Sequence, residues 1–328
     1  MHFKEKNIEL ACIDSEEKTF RITTRAEIDP LAVSIQEIGL ITLPILKEKG
    51  AKLIIVSGFR RIEACKLLGI VHIKARVLSS EVSDLTSIKI AVAENALQRP
   101  LDLIEQARAV HLLWKYFEGD PAPAKIAFGL GLPGNPSIIK KLNDLYNLSS
   151  PLQEYVLNKT LSLTIALELG ALDKPAGVAL ADLFDELKAS LNKQKEIISL
   201  TKEIAFLEDS SILEVLRENG LKKIINSNDL YPEKKDRAKK TAEIRSYLKQ
   251  RRFPVITDYE KNFKKLTKGL RLGNGIKLVP PKNFEGKVYK LTIDFKSHEE
   301  LEQRQSILNR IINEKGIKSM FDSCNSQA

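Results

Sequence analysis

The chain is poor in several residue types, and each shortage excludes something. Its 328 residues hold 3 cysteines, Cys12, Cys65 and Cys324, odd in number, far apart and with no Cys-x-x-Cys. A disulfide framework is not expected from that pattern, nor is the class of small stapled secreted domains. The 4 histidines, His2, His72, His111 and His298, make no metal-ligand spacing, so no zinc site is expected. Aromatic residues make up 6% of the chain, with 1 tryptophan, which favours helices packed through Leu, Ile and Ala over an aromatic-rich β-sandwich. No apolar run approaches the roughly 20 residues that span a bilayer, and the first residues do not read as a secretory signal. The expectation is a soluble, cytoplasmic protein with reduced thiols and no membrane partner. A Walker A sequence is also missing, which argues against a P-loop ATPase.

What is present is an ample core and an uneven charge. Hydrophobic residues are 43% of the chain, enough for two or three domains at this length. The net charge is +9. Between Tyr231 and Lys290 there are 18 Lys and Arg against 6 Asp and Glu, so that stretch holds +12 and the remainder is slightly acidic. A concentrated excess of this kind suits a polyanion-binding surface, with a solvated lysine-rich helix as the plainer alternative. Lys261, Lys264, Lys265 and Lys268 are the candidate phosphate contacts within it.

The patterning divides the chain. Residues 1–19 are polar and mixed and read as a flexible arm. Asp29-Pro30 suits a helix start, with Asp29 as cap, Leu31, Ile35 and Ile38 on one face and Gly39 as the stop. Residues 43–47 and 52–57 read as strands around a Lys-Glu-Lys-Gly turn, and residues 72–78 alternate as a third. Residues 59–68 and 84–96 read as helices. Residues 20–100 are thus a small mixed α/β domain. Beyond Pro100 the chain is helical, with Leu103, Ala107, Val110, Trp114 and Phe117 as an apolar stripe for the core. Residues 101–192 contain a helix, a glycine-rich turn and a second helix over 122–146. Asn135 caps that second helix, Pro136 suits its first turn, and Ile138, Ile139, Leu142 and Leu145 are expected to pack inward. This is helix-turn-helix grammar, and Asn135, Ser137, Lys140 and Lys141 are candidate DNA contacts. Residues 193–252 read as a helical, basic linker region, with a basic helix over 234–252. Residues 253–328 end in a strand, with Tyr289, Leu291, Ile293 and Phe295 on one face, and a helix opened by a Ser297–Glu300 capping box. Leu301, Leu308, Ile311 and Ile312 stripe that helix. One strand and one helix cannot bury both faces alone, which points to pairing in a homodimer. The fold class is α+β.

Two stretches carry chemistry. At Ser57-Gly58-Phe59-Arg60-Arg61 a strand runs into a glycine and a helix begins. Free backbone N–H groups there can cradle a phosphate, and the two arginines can add forked hydrogen bonds. A surface helix start with solvated arginines is the competing reading. The second stretch is residues 93–107. Glu94 beside Asn95 offers the oxygen donors that suit Mg²⁺ shared with substrate phosphates, and Arg99 could reach the same phosphates. Its competing reading is a capped junction between helices.

Taken together, these stretches resemble the ParB family of chromosome- and plasmid-partition proteins. Gly58-Phe59-Arg60-Arg61 corresponds to the family's Gly-x-Arg-Arg box. Glu94-Asn95 opens its Glu-Asn-x-x-Arg-type box, with Gln98 and then Arg99 following, and residues 103–107 resemble the segment after it. Residues 29–46 look like the family's opening helix and strand, and Thr24-Arg25 lies about where its first nucleotide-contacting loop lies. Residues 124–190 resemble its helix-turn-helix region and residues 286–311 its dimerisation element. The resemblance implies a ParB/sulfiredoxin-like N-terminal domain that binds CTP with Mg²⁺, and a dimer that closes as a clamp on double-stranded DNA. Slow CTP hydrolysis is implied for the family, with no catalytic residue assigned here. Nucleotide binding would fall to Thr24, Arg25, Ser57, Gly58, Phe59, Arg60, Arg61, Glu94, Asn95 and Arg99, and Mg²⁺ to Glu94 and Asn95. The protein would be nucleoid-associated. A ParA-type ATPase is a further partner of the family, although residues 1–19 carry no basic motif for one.

Sulfiredoxin shares the N-terminal fold, but its box holds a reactive cysteine where this chain has Phe59. Cys65, a turn further on, is expected in the core, so the thiolate chemistry has no nucleophile. A metal nuclease needs clustered carboxylates, and only Glu94 stands out. The main rival is a transcriptional regulator or mobile-element DNA-binding protein of ParB fold that works without nucleotide.

Overall fold

The apolar runs between residues 45 and 78 become the middle of a five-stranded sheet in the computed structural model, which describes residues 3–116, 122–226, 236–286 and 288–313. Strands β3 (Ile45–Lys49) and β4 (Lys52–Ser57) pair antiparallel, and β5 (His72–Leu78) lies parallel to β3. Side chains alternate between the two faces, and both faces are covered. Leu46, Ile55 and Ala75 point towards helices α1 (Asp29–Ile38) and α2 (Phe59–Leu67). Ile45, Ile54, Val56 and Leu78 point the other way, into a core shared with α3 (Asp84–Ala96), α4 (Leu103–Trp114), α5 (Ala122–Gly129) and α6 (Pro136–Tyr146). Each such Leu, Ile or Val contributes about 1.5–3 kcal/mol when fully buried.

The polar N-terminus is not an arm. Lys4–Glu9 forms β1, antiparallel to β5, and Ile13–Asp14 forms β2, parallel to β4, so the sheet order is β1-β5-β3-β4-β2. Strand β1 holds one apolar residue, so its strand character comes from backbone pairing along β5 rather than from its own pattern. Leu10 and Ile13 then anchor it to the core.

Other expectations shift by a residue or a face. Asp29 is the first helical residue of α1 and Ile28 its cap. That helix buries Ala32 and Ile35 and leaves Ile38 exposed. In α6, Ile139, Leu142 and Leu145 are buried and Ile138 is not. Trp114 packs against the core from a half-buried position. Phe117, Lys234, Lys235, His2 and Cys324 lie outside the described residues.

The chain divides into two compact units, residues 1–195 and 196–328. Within the first, no division separates residues 20–100 from 101–192, because one core takes in Val56, Ile88, Val110 and Leu142. Helices α7 (Ser150–Leu157), α8 (Leu163–Gly170) and α9 (Lys174–Leu187) complete it.

Helix α10 (Leu191–Leu207) spans the division. The second unit continues with α11 (Ile212–Arg217), α12 (Asn219–Ile225), α13 (Arg237–Arg252), α14 (Pro254–Gly269), β6 (Ile276–Val279), β7 (Lys290–Ile293) and α15 (His298–Asn313). The terminal strand is not solitary: β7 pairs antiparallel with β6. In α15, Ile311 is buried and Ile312 exposed. Its cap is shifted, too. Ser297 Oγ accepts from Glu300 N (3.2 Å), but the Glu300 carboxylate takes the N–H of Lys296 (2.8 Å).

The basic excess is smaller in three dimensions than along the chain. Arg245 Nε donates to Glu196 (2.8 Å), Arg252 Nε to Glu203 (2.7 Å) and Arg251 Nε to Glu208 (2.8 Å). Residues seven apart on α10 meet residues seven apart on α13 in the same order, so the two helices run parallel. The acids come from outside the basic stretch and offset part of the charge of α13. The lysines of α14 remain exposed.

Candidate functional site

The site begins where β4 ends. Ser57 is buried, and Gly58 turns the chain with φ 96°, a left-handed value that disfavours a side chain. A Cβ on Gly58 would also lie 2.9 Å from Cβ of Pro44. Two independent constraints therefore require glycine. Helix α2 starts at Phe59 without a side-chain cap, so its first N–H groups face outward unshared.

Arg60 and Arg61 sit at the positive end of this helix, and backbone carbonyls meet them. Arg60 Nε donates to Glu27 O (3.1 Å), and a second nitrogen of the same guanidinium donates there too. Arg61 Nη1 donates to Thr42 O (2.8 Å) and Leu43 O (3.1 Å). Its Nη2 lies 3.8 Å from Glu94 Oε2. Burial pulls the Arg61 guanidinium below its ordinary value, and the Glu94 charge works against that. Aligned carbonyls thus answer the unfavourable helix dipole. Beside them, Arg21 Nη1 pairs with Glu63 Oε1 at 2.7 Å.

The two chemistry-bearing stretches meet in one cavity of about 260 Å³. Its wall includes Ser57, Gly58, Phe59, Arg60 and Arg61 from the β4–α2 turn and Glu94, Asn95, Gln98 and Arg99 from the end of α3 and just beyond it. Phe20, Ile22, Thr23, Leu31 and Thr42 close the remainder. Asn95 Nδ2 donates to Ala91 O (2.8 Å), which leaves Oδ1 as the acceptor of that amide. One carboxylate and one amide oxygen suit a Mg²⁺ that takes its other ligands from phosphates and water. No cluster of three His, Cys, Asp or Glu occurs among the described residues, so a site built from protein ligands alone is not offered.

Three expected residues do other work. Arg99 lines the cavity, but its Nη1 and Nη2 both bond Glu105, each at 2.6 Å. Glu105 has no exposed side-chain surface. Its carboxylate also accepts from Thr24 N and Asp102 N, both at 3.1 Å. Thr24 Oγ1 donates to Asp102 Oδ2 (2.6 Å), so Thr24 faces the start of α4. Neither Thr24 nor Arg25 is part of the cavity wall, and Thr23 takes that place. Burial pushes the Glu105 carboxyl up, but the Arg99 fork and the two N–H groups outweigh it and hold it at about 2. Glu105, which the sequence places on the helix after Arg99, is the residue that sequence reasoning gave no role. Its signal was the Asp102-x-x-Glu105 spacing, which closes a capping box on α4. Gln98, Phe20, Ile22 and Thr42 carried no such signal.

A second surface belongs to α5 and α6. Asn135 Oδ1 accepts from Ser137 N (2.8 Å) and Ile138 N (3.3 Å) and starts α6 as its spacing predicts. Ser137, Lys140 and Lys141 are exposed on that helix. Helix α6 packs on α4, where His111 stacks on Tyr146 with ring centroids 3.7 Å apart. On α14, Lys261, Lys264, Lys265 and Lys268 are exposed at i, i+3, i+4 and i+7, so they share one face. Lys261 has Asp258 at 3.9 Å.

Residues 4–96 match the family model of the ParB N-terminal domain. No curated protein matches the chain. Among solved structures, the chain is similar to the C-terminally truncated chromosome-partitioning protein ParB from Caulobacter crescentus complexed with CTP-gamma-S. The identity is 24% and the TM-score 0.26, over 55% of this chain and 98% of that one. The same protein complexed to the centromeric parS site matches at 19% identity and TM-score 0.35, over 58% and 96%. A Pnob8-like ParB-N domain matches at 14% identity and TM-score 0.36, over 73% and 98%. No helix of the described residues is long and apolar enough to cross a membrane.

Proposed function

We propose that this chain is a ParB-like DNA-binding protein, a dimeric clamp on double-stranded DNA that takes CTP and Mg²⁺ in its N-terminal cavity and acts in chromosome or plasmid partition. The observation that carries the reading is the meeting of Ser57–Arg61 with Glu94 and Asn95 around one cavity, on residues that match a ParB N-terminal domain. The α2 N–H groups with Arg60 and Arg61 would hold the phosphates, and Glu94 with the Asn95 oxygen would hold Mg²⁺. Bound there, Mg²⁺ would neutralise phosphate charge.

The DNA part of the reading rests on the exposed face of α6 and the lysine face of α14. The dimer part rests on the second unit, where Val279, Leu291, Phe295 and Ile312 remain exposed on and beside a two-stranded sheet that is too small to stand alone.

Calorimetric titration of CTP, ATP and GTP with Mg²⁺ tests the cavity. CTP is expected to bind, and Arg61→Ala to weaken it at least about 100-fold while the protein stays folded. That loss corresponds to two charge-assisted hydrogen bonds. Unchanged CTP affinity in Arg61→Ala would reject the assignment. The rival reading, a nucleotide-independent regulator, is favoured by one feature, the commitment of Arg99 to Glu105. Loading onto closed circular DNA separates the two: a clamp requires CTP and Mg²⁺, whereas a plain regulator binds equally well without them.

A further inference from the structure

We infer that Arg99 is a positioning residue of the cavity rather than a ligand of its occupant. It acts by clamping Glu105, which ties Thr24, next to the cavity wall at Ile22 and Thr23, to the start of α4. The inference rests on the nucleotide reading of the cavity, and it concerns how that cavity is held in shape.

The geometry is that of a latch. Two forked bonds at 2.6 Å join Arg99 to a carboxylate without exposed surface. The same carboxylate holds the Thr24 N–H, and Asp102 holds the Thr24 hydroxyl. Arg108, one turn further along α4, donates to Thr23 O (3.0 Å) and Ile22 O (3.4 Å). Ile22 and Thr23 line the cavity. One side of the cavity is therefore fastened to α4 at successive residues, and Glu105 is the centre of the fastening.

A phosphate could recruit the Arg99 fork only by taking it from Glu105. That would leave a buried carboxylate with two backbone donors and no counter-charge, a larger penalty than a contact on a partly exposed guanidinium returns. Arg60 and Arg61 face no such cost. Their guanidinium partners are carbonyl oxygens at the cavity edge and a carboxylate 3.8 Å away. Anion recognition thus belongs to Arg60 and Arg61, and Arg99 works through the wall.

A double-mutant cycle read by Mg²⁺-CTP affinity tests this on the full chain. Arg99→Gln and Glu105→Gln are expected each to weaken CTP by about 3- to 10-fold, and the double variant by no more than the worse single one, because both break one latch. A double variant that loses the product of the two effects would overturn the inference. So would an Arg99→Gln loss as large as that of Arg61→Ala. The double variant leaves neither Arg99 nor Glu105 as an unpaired charge; if one single variant unfolds, the double variant is expected to match the CTP affinity of the remaining single one, and a further loss would overturn the latch. Hydrogen exchange of the segment 20–25 gives a readout independent of nucleotide. Faster exchange is expected in all three variants, and unchanged exchange would also overturn the latch. If the unsubstituted protein binds no nucleotide, the cavity reading fails, and the exchange measurement still decides the latch.

Discussion

Single residues here do work that depends on who reaches them from elsewhere in the chain. Glu105 is the clearest case. Its carboxyl is held at about 2 against an ordinary 4.5, so the native state keeps it ionised where the unfolded chain would bind a proton. The stability it lends is fully present above the unfolded value. It is lost as pH falls through the native value, in the window from about pH 5 to pH 2. The shift is worth about 3 kcal/mol. Urea unfolding followed on the fluorescence of Trp114 should show this fall for the unsubstituted chain. In Glu105→Gln the profile should be flatter by that amount, with lower stability at neutral pH, where Arg99 has lost its partner. Equal slopes in both proteins would show that Glu105 does not carry the acid sensitivity. Gly58 works at the same scale, since only glycine meets both its positive φ and its closeness to Pro44.

At the scale of elements, two consecutive basic helices have different fates. In α13 the arginines at 245, 251 and 252 close ion pairs onto Glu196, Glu208 and Glu203, so the helix is fastened to its neighbours. In α14 the opposite face carries Phe263 against Phe284 and Tyr289, and the lysines turn to solvent. Reversing the charge of Lys261, Lys264, Lys265 and Lys268 should therefore weaken nonspecific DNA binding and flatten its salt dependence. The slope of log K against log salt should drop by up to about 0.9 for each phosphate contact removed. A binding isotherm series from low to high salt measures it, and an unaltered slope would remove α14 from the DNA surface. The ion-paired arginines of α13 should instead register as stability when replaced.

At the scale of the whole molecule, the first unit is built as one body. Its core passes from the sheet through α3 and α4 to α6, so the chain cannot be cut after residue 100 without opening it. A fragment of residues 1–195 should melt cooperatively by circular dichroism. A fragment of residues 1–100 should lose that transition, because Ile88, Val92 and Leu78 would face water where Val110 and Leu142 now cover them. A sharp melt of the shorter piece would mean that the sheet and helices α1, α2 and α3 suffice. The shared core also gives the cavity a firm back wall, since α3 and α4 both pack into it while their ends carry Glu94, Asn95 and Glu105.

The sequence by itself determined the strands at 52–57 and 72–78, the helix at 84–96, the glycine turn before Arg60 and the Asn135 cap. These rest on short-range physics: alternation over a sheet face, a positive φ, a cap three residues from its donor. It also brought Gly58, Arg60 and Arg61 together with Glu94 and Asn95, by resemblance rather than by spacing. Only the tertiary structure decided what depends on distant partners. The N-terminal strand exists because β5 offers its edge, and a hexamer with one apolar residue announces nothing. The basic stretch is partly neutralised because three of its arginines find counter-charges some 40 to 50 residues earlier. Arg99 lines the cavity but gives its fork to Glu105, because that carboxylate is buried and must be paired.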